Sequence, residues 1–382
     1  MDLSTRILVY RYAALRKLRR KLGLQTDPYP LRPEGTRLSP SLGLLAEVDG
    51  SSRYMAINLS DVTGWQVAAR KRLAQITGYQ STSTDPYVVA TRGPASIPGA
   101  PGVERTTYYL RVRAETDVPV TILSQTGDTY PLPVFMHLAG STSGVHLGWG
   151  EARIPIDHQR LSIGADMALQ AVNRGYLAVC IEQIGFGERL ERDLPKPSSD
   201  RTIDTAIHAA LLGKTLMGLK AMDVSAVIDW LVAAAPSPID VDRLYLFGHS
   251  SGGTAAIFAT ALDERIAGVL ASGCVRRLSE IVSTRGNSNG EYLIPGFFDA
   301  FEIDDVVALA APRPFVALSG QNDHIFPHNG VVRVVEGAKS AYAALNAADR
   351  LRAIRAPAGH QYYAEESWAA WQETIDPVMD ND

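Results

Sequence analysis

The chain has 382 residues, of which 46% are hydrophobic and 20% charged, and its formal net charge is −4. This composition is typical of a globular protein with a large core, and the slight negative charge argues against a nucleic-acid-binding protein. No run of about 18 apolar residues occurs, so we expect no membrane-spanning helix. Cys180 and Cys274 are the two cysteines, and both lie in apolar runs. They are predicted to be buried thiols, which favours a cytoplasmic protein.

The first 104 residues are predicted to form a helical and loop extension. Residues 1–23 mix Arg and Lys into apolar positions, which indicates an amphipathic helix rather than a signal peptide. Four prolines follow in "TDPYPLRPEGTRLSP", and "SDVTGWQVAARKRLAQITGY" is predicted to be a helix capped by Ser60 or Asp61. The Pro- and Gly-rich "TRGPASIPGAPG" then separates this extension from the rest of the chain.

Residues 105–382 are predicted to form one α/β domain. "RTTYYLRVRAE" and "VPVTILSQ" alternate as strands do, and "YPLPVFMHLAG" is a short apolar run that ends in turn residues. Apolar strands then alternate with helices, and residues 204–234 form one long helix or two short ones. This order predicts a mostly parallel sheet of about eight strands covered by helices on both faces.

A strand turns abruptly into a helix at "RLYLFGHSSGG", which contains the pattern G-x-S-x-G. This is the setting of a nucleophile elbow, in which Ser250 is presented above the sheet while Gly248 and Gly252 leave room for the backbone. A Gly-rich turn without chemistry is the alternative interpretation of the pentapeptide alone.

A nucleophilic serine needs a base, and in this architecture the base comes last in chain order. His360, in the loop of "IRAPAGHQYYAEESW", is therefore the predicted base, since most other histidines precede Ser250. Asp323 directly follows the apolar "RPFVALSG" and is the predicted orienting acid. Asp304 and Asp305 are its rivals, but they precede that strand in a helix-like stretch.

A metal site is the alternative interpretation of the same region. Asp323, His324 and His328 lie close together in sequence, but Pro327 interrupts any common helical face. We therefore expect no metal and no cofactor.

The tetrahedral intermediate of acyl transfer needs backbone amides that stabilise its oxyanion. The amide of Ser251 follows the nucleophile and is one predicted donor. The other is expected from "HLAGSTSG", where Ala139 is the first candidate and Leu138 the second.

These features together make residues 105–370 resemble the α/β-hydrolase superfamily, and within it the bacterial esterases similar to dienelactone hydrolases and acetyl xylan esterases. The resemblance rests on "HLAG", "RGYLAVCIEQIGFGER", "GKTLMGLKAMDVSAVIDWL", "GHSSGG", "AGH" and the block "EYLIPGFFDAFEIDDVVALAAPRPFVALSGQNDHIFP". It implies Ser250 as nucleophile, Asp323 as acid and His360 as base. Two positions depart from the pattern: Leu138 replaces a common glycine, and Glu182 replaces a common aspartate.

The sequence therefore predicts a serine hydrolase that cleaves a small-molecule carboxylic ester through an acyl-enzyme. Hydrolysis of a peptide, lactone or carbon–carbon bond on the same triad stays open, as does a binding module that retains the fold. The oligomeric state also stays open, a homo-oligomer included. Phe297, Phe298 and Arg276, in the segment after the sixth expected strand, are candidate pocket residues that would favour a short acyl group.

Overall fold

The computed structural model describes residues 40–47, 53–80, 85–127, 130–200, 202–285 and 290–377, and five isolated positions before residue 40. The chain divides into two compact units, Met1–Glu47 and Val48–Asp382. The first unit contains helix α1 (Pro40–Leu45). The amphipathic helix predicted over residues 1–23 lies almost wholly outside the described residues.

The second unit is built on one sheet, in the order β1-β2-β3-β5-β4-β6-β7-β8-β9. β3 pairs antiparallel with β2 and β5, whereas all pairs from β5 to β9 are parallel. This confirms the predicted α/β-hydrolase fold, with one antiparallel edge. Its strands are β1 (Tyr87–Ile97), β2 (Ala100–Arg113), β3 (Thr116–Gln125), β4 (Leu132–Leu138), β5 (Leu177–Ile181), β6 (Ile239–His249), β7 (Gly268–Ser272), β8 (Phe315–Gly320) and β9 (Leu351–Ala356).

Helices cover this sheet. They are α2 (Val62–Thr77), α3 (Pro155–Leu161), α4 (Met167–Val172), α5 (Ile203–Leu211), α6 (Leu216–Ala234), α7 (Ser251–Leu262), α8 (Leu278–Arg285), α9 (Phe297–Ala300), α10 (Ile303–Ala308), α11 (His328–Ala344) and α12 (Ala364–Ala370). Asp61 caps α2 by accepting a hydrogen bond from the Gly64 N–H, as the sequence predicts. The long helical stretch is two helices, because Thr215 caps α6 with a side-chain acceptor of its own.

The domain boundary predicted at residue 104 does not coincide with this division of the chain. β1 and the start of β2 form a hairpin that belongs to the same sheet, although most of β1 is exposed. An exposed strand lacks the alternation of apolar and polar residues that marks a half-buried strand, so the sequence pattern did not predict β1. The structural unit begins at Val48 instead.

The central strands β4, β5, β7 and β8 are buried along their whole length, with apolar clusters on both faces of the sheet. Cys180 and Cys274 are buried free thiols, as predicted. Among the described residues, no helix has the length and hydrophobicity needed to cross a bilayer. Because β6, β8 and β9 are parallel neighbours or near neighbours, the loops after their carboxyl ends meet at one edge.

Candidate active site

Ser250 occupies a sharp turn between β6 and α7. Its backbone has φ 52° and ψ −121°, which lies outside the regions that a side chain adopts easily. The turn is held by a 2.7 Å hydrogen bond from the Ser250 N–H to the Ser272 carbonyl. It also needs glycine on both sides: a Cβ on Gly252 would lie 2.1 Å from the Leu138 carbonyl oxygen, and one on Gly248 would lie 2.3 Å from that of Gly252. The sequence pattern therefore forms a strained strand-to-helix turn.

The hydroxyl of Ser250 lies at one end of a chain of hydrogen bonds. Its Oγ is 3.0 Å from Nε2 of His360. Nδ1 of the same ring is 2.8 Å from Oδ2 of Asp323. The structure thus brings together the three residues predicted as nucleophile, base and acid, although they lie 37 and 110 residues apart along the chain.

Asp323 is held in its ionised form. Its burial by itself raises the pKa, but the hydrogen bond and charge of His360 and two backbone donors outweigh this effect and lower the pKa below the usual value. The backbone donors are the N–H groups of Ile325 and Phe326, at 2.8 and 2.9 Å from Oδ1. One carboxylate oxygen is therefore fixed by its own loop, and the other is left for the imidazole.

The rival acids have other partners. Asp304 forms an ion pair with Arg277, and Asp305 caps the start of α10. Neither contacts a histidine among the described residues. The described residues also contain no group of three His, Cys, Asp or Glu side chains that could hold a metal ion. His328 instead contacts the Ser319 hydroxyl at 3.1 Å.

His249 lies beside the base. It packs against the ring of Tyr362, with centroids 4.1 Å apart, and lies 5.3 Å from the ring of His360. Complete burial, with a smaller effect from the charge of His360, holds its pKa well below the usual value. A neutral imidazole at this position adds no positive charge beside His360, whose Nε2 is the ring nitrogen in contact with Oγ of Ser250.

Ser250 and His360 open into a cavity of about 450 Å³ with mixed polar and apolar walls. This size suits a small ligand. The lining residues come from six segments of the chain: Gly140, Ser141 and Thr142; Ile156, Gln159, Arg160 and Ile163; His249, Ser250, Ser251 and Thr254; Glu291 and Tyr292; Ile325 and Phe326; and His360, Gln361 and Tyr362.

The two residues whose amides are predicted to bind the oxyanion are buried and are not among those that line this cavity. Leu138 is 1% exposed and Ala139 5% exposed, and neither lines the cavity wall, whereas Gly140, Ser141 and Thr142 do. The difference is one of register, because β4 extends through Leu138 and the Ala139 carbonyl is held by the Gln183 side-chain amide at 2.5 Å. Ser251, whose amide is the other predicted oxyanion donor, does line the cavity.

Phe297, Phe298 and Arg276, which are predicted to line the pocket, are not among the residues that line this cavity. Phe297 is 2% exposed within a cluster of aromatic rings, and Phe298 packs against the same core. Arg276 lies behind the cavity wall, where Nη1 donates to the Ile325 carbonyl at 3.2 Å.

Among the described residues of that segment, Glu291 and Tyr292 line the cavity. Sequence reasoning missed Glu291, and it also missed Lys220, which contacts Glu291 from α6. The available signal was a lysine placed among the apolar residues of "LMGLKAMDVSAV".

Comparisons with known proteins agree with this architecture. The sequence matches the model of the Abhydrolase family over residues 52–346. YtaP of Bacillus subtilis (strain 168), which is named as a hydrolase, is 29% identical over 196 residues, or 49% of this chain. The match spans 60% of the length of YtaP.

Solved structures with similar folds include two esterases by name. A protein of Bacteroides fragilis NCTC 9343 described as an acetyl xylan esterase has a TM-score of 0.66 and 19% identity, over 91% of this chain and 88% of its own. A glucuronoyl esterase of Teredinibacter turnerae T7901 has a TM-score of 0.60 and 16% identity, over 92% and 96%. At these identities the likeness is one of fold.

Proposed function

We propose that this chain, which belongs to the Abhydrolase family, is a serine hydrolase of carboxylic esters. The fold alone does not determine the activity, so the proposal depends on the geometry of the site. The observation that carries this proposal is the continuous chain of contacts from Ser250 through His360 to Asp323. A binding module would have no need of a strained serine aligned with an imidazole and a buried carboxylate.

The proposed reaction runs in two halves. Nε2 of His360 accepts the hydroxyl proton as Oγ of Ser250 attacks the ester carbonyl, and Asp323 stabilises the imidazolium. The tetrahedral intermediate collapses as the imidazolium gives this proton to the departing alcohol, which leaves an acyl group on Ser250. Water then attacks the acyl group while His360 accepts one of its protons, and the imidazolium returns this proton to Oγ of Ser250 as the acid is released.

Two backbone amides are proposed to bind the oxyanion. One is that of Ser251, at the first position of α7, where the helix dipole also favours negative charge. We assign the second to the Gly140–Thr142 loop rather than to Ala139 or Leu138, with the amide of Ser141 as first candidate. This loop touches the nucleophile, since a Cβ on Gly140 would lie 3.2 Å from that of Ser250.

The substrate is proposed to be an ester with a compact acyl group. Polar side chains lie on several walls of the cavity, among them Gln159, Arg160 and Gln361. A long hydrocarbon chain would desolvate them without supplying hydrogen bonds. The esterases with similar folds are named for esters of sugars, and this supports testing such esters beside lactones and amides. A cytoplasmic location stays a prediction from the two cysteines.

Replacing each serine of the turn tests the proposal. Ser250→Ala should lower kcat for a small aryl ester by about 10⁴-fold or more, since it removes the nucleophile. Ser251→Ala keeps its backbone amide and should lose far less. Equal losses in the two variants would contradict the assignment, and a chelator should leave the wild-type rate unchanged.

A further inference from the structure

Three buried polar side chains that have no part in the proton transfers meet beside the nucleophile turn. Nζ of Lys220 lies 2.8 Å from Oε1 of Glu291 and 2.9 Å from Oγ of Ser251. The Ser251 hydroxyl in turn donates to the same Oε1 atom. Lys220 is 2% exposed, and the other two are each 4% exposed. The cluster therefore joins α6, the nucleophile turn and the segment between β7 and α9.

Packing alone does not account for this cluster. Burying an ion pair removes two charges from water, and apolar residues of similar volume often stabilise a protein as well or better. We therefore expect the Lys220–Glu291 pair to contribute more to ligand binding than to the stability of the fold. Glu291 and Ser251 line the cavity, whereas Lys220 lies behind them.

Glu291 presents an unused acceptor. An ionised carboxylate accepts about four hydrogen bonds and donates none. Within the part of the chain that the structure describes, both contacts of this carboxylate go to Oε1. The lone pairs of Oε2 are thus available to a hydrogen-bond donor on a ligand in the cavity, and Lys220 offsets the cost of keeping the charge there.

The cluster lies on the side of Ser250 away from the base. Lys220 borders a small void shared with Leu138 and Gln183, at the ends of β4 and β5. His360 follows β9, on the opposite side of β6 in the sheet. Since His360 must protonate the departing alcohol, the alcohol lies on its side of Ser250. An acyl group on the opposite side of the carbonyl carbon faces Glu291, which lines the cavity.

We propose that Glu291, held by Lys220 and Ser251, accepts a hydrogen bond from a hydroxyl group on the acyl part of the substrate. The preferred substrates are then esters of short hydroxy acids rather than of plain alkanoic acids. This specificity rests on the proposed esterase function and narrows its acyl group.

Esters of glycolic and propionic acid with the same alcohol provide the test, because their acyl groups differ by one hydroxyl in place of one methyl. Each kcat/KM is divided by the rate of alkaline hydrolysis of that ester, which removes the difference in intrinsic reactivity. The wild type should prefer the glycolate ester by about 10- to 100-fold, as expected for a hydrogen bond to a charged group.

Two variants and a control locate the preference. Lys220→Met/Glu291→Leu removes both charges and should bring the ratio to about one while propionate hydrolysis continues. Glu291→Gln, which keeps the shape, should lower the ratio severalfold and serves if the double variant does not fold. Asp304→Asn breaks another ion pair, with Arg277, and Asp304 does not line the cavity; the ratio should stay at the wild-type value.

The outcomes separate the two proposals. A wild-type ratio near one, or a ratio that survives in both charge variants, overturns the role of Glu291 but leaves Ser250-dependent hydrolysis intact. If neither ester is hydrolysed, or if Ser250→Ala hydrolyses both at the wild-type rate, the esterase proposal itself fails.

Discussion

The backbone strain at Ser250 predicts that a glycine there makes the protein more stable than an alanine does. Both substitutions remove the hydroxyl, so they differ only in the Cβ atom. At φ 52° and ψ −121°, a non-glycine residue costs about 1–3 kcal/mol. Glycine gives back about 0.4–1 kcal/mol because it makes the unfolded chain more flexible. Ser250→Gly should therefore exceed Ser250→Ala by about 1–2 kcal/mol in free energy of unfolding.

Urea unfolding followed by tryptophan fluorescence measures this difference, with both variants inactive. Ser272, whose carbonyl accepts from the Ser250 N–H, supplies the control pair. Ser272 ends a buried strand and has no positive φ. The free energy of unfolding of Ser272→Gly should therefore be lower than that of Ser272→Ala by about 0.5–1 kcal/mol. If the Ser250→Gly variant is no more stable than Ser250→Ala, the backbone at Ser250 is not strained and this reasoning is refuted.

Three further predictions concern the site and its surroundings. Asp323→Asn should lower kcat by about 10³- to 10⁴-fold at nearly unchanged KM, since an amide does not stabilise the imidazolium of His360; a loss below tenfold in steady-state assays would remove Asp323 from the triad. Gly252→Ala should destabilise the fold by about 1–3 kcal/mol in urea unfolding, because its Cβ would meet the Leu138 carbonyl at 2.1 Å; a neutral effect would contradict that contact. Burial raises the pKa of Glu182 from 4.5 to about 7, so the folded state binds this proton more tightly than the unfolded chain does. The stability that comes from this difference is fully present below pH 4.5 and is lost as the pH rises through about 7. Glu182→Gln should remove roughly 3 kcal/mol of this pH dependence, and parallel pH profiles for variant and wild type would disprove it.

The sequence predicted the strand-to-helix turn and the order of the functional residues because local rules determine both. A G-x-S-x-G pattern between a buried strand and a helix restricts the backbone by itself. Asp323 and His360 lie in the loops that follow two strands, and parallel strands bring their carboxyl ends to one edge. These inferences need only the strand assignments.

The cavity walls could not be predicted in the same way. Apolarity shows that Phe297 is buried but not which surface buries it, and the register of the oxyanion loop depends on where β4 ends against its neighbours. Lys220 and Glu291 are 71 residues apart, and only the folded chain shows that they meet. A charged residue within an apolar helix is a signal, but it does not name its partner.

Covalent labelling of the nucleophile tests the central claim most directly. Treatment with a fluorophosphonate, followed by intact-mass measurement and peptide mapping, should give one adduct per chain, on Ser250. Ser250→Ala should give none, and His360→Ala should react far more slowly because the serine has lost its base. An adduct on another residue, or continued ester hydrolysis by a chain that carries no adduct, would contradict a mechanism through Ser250.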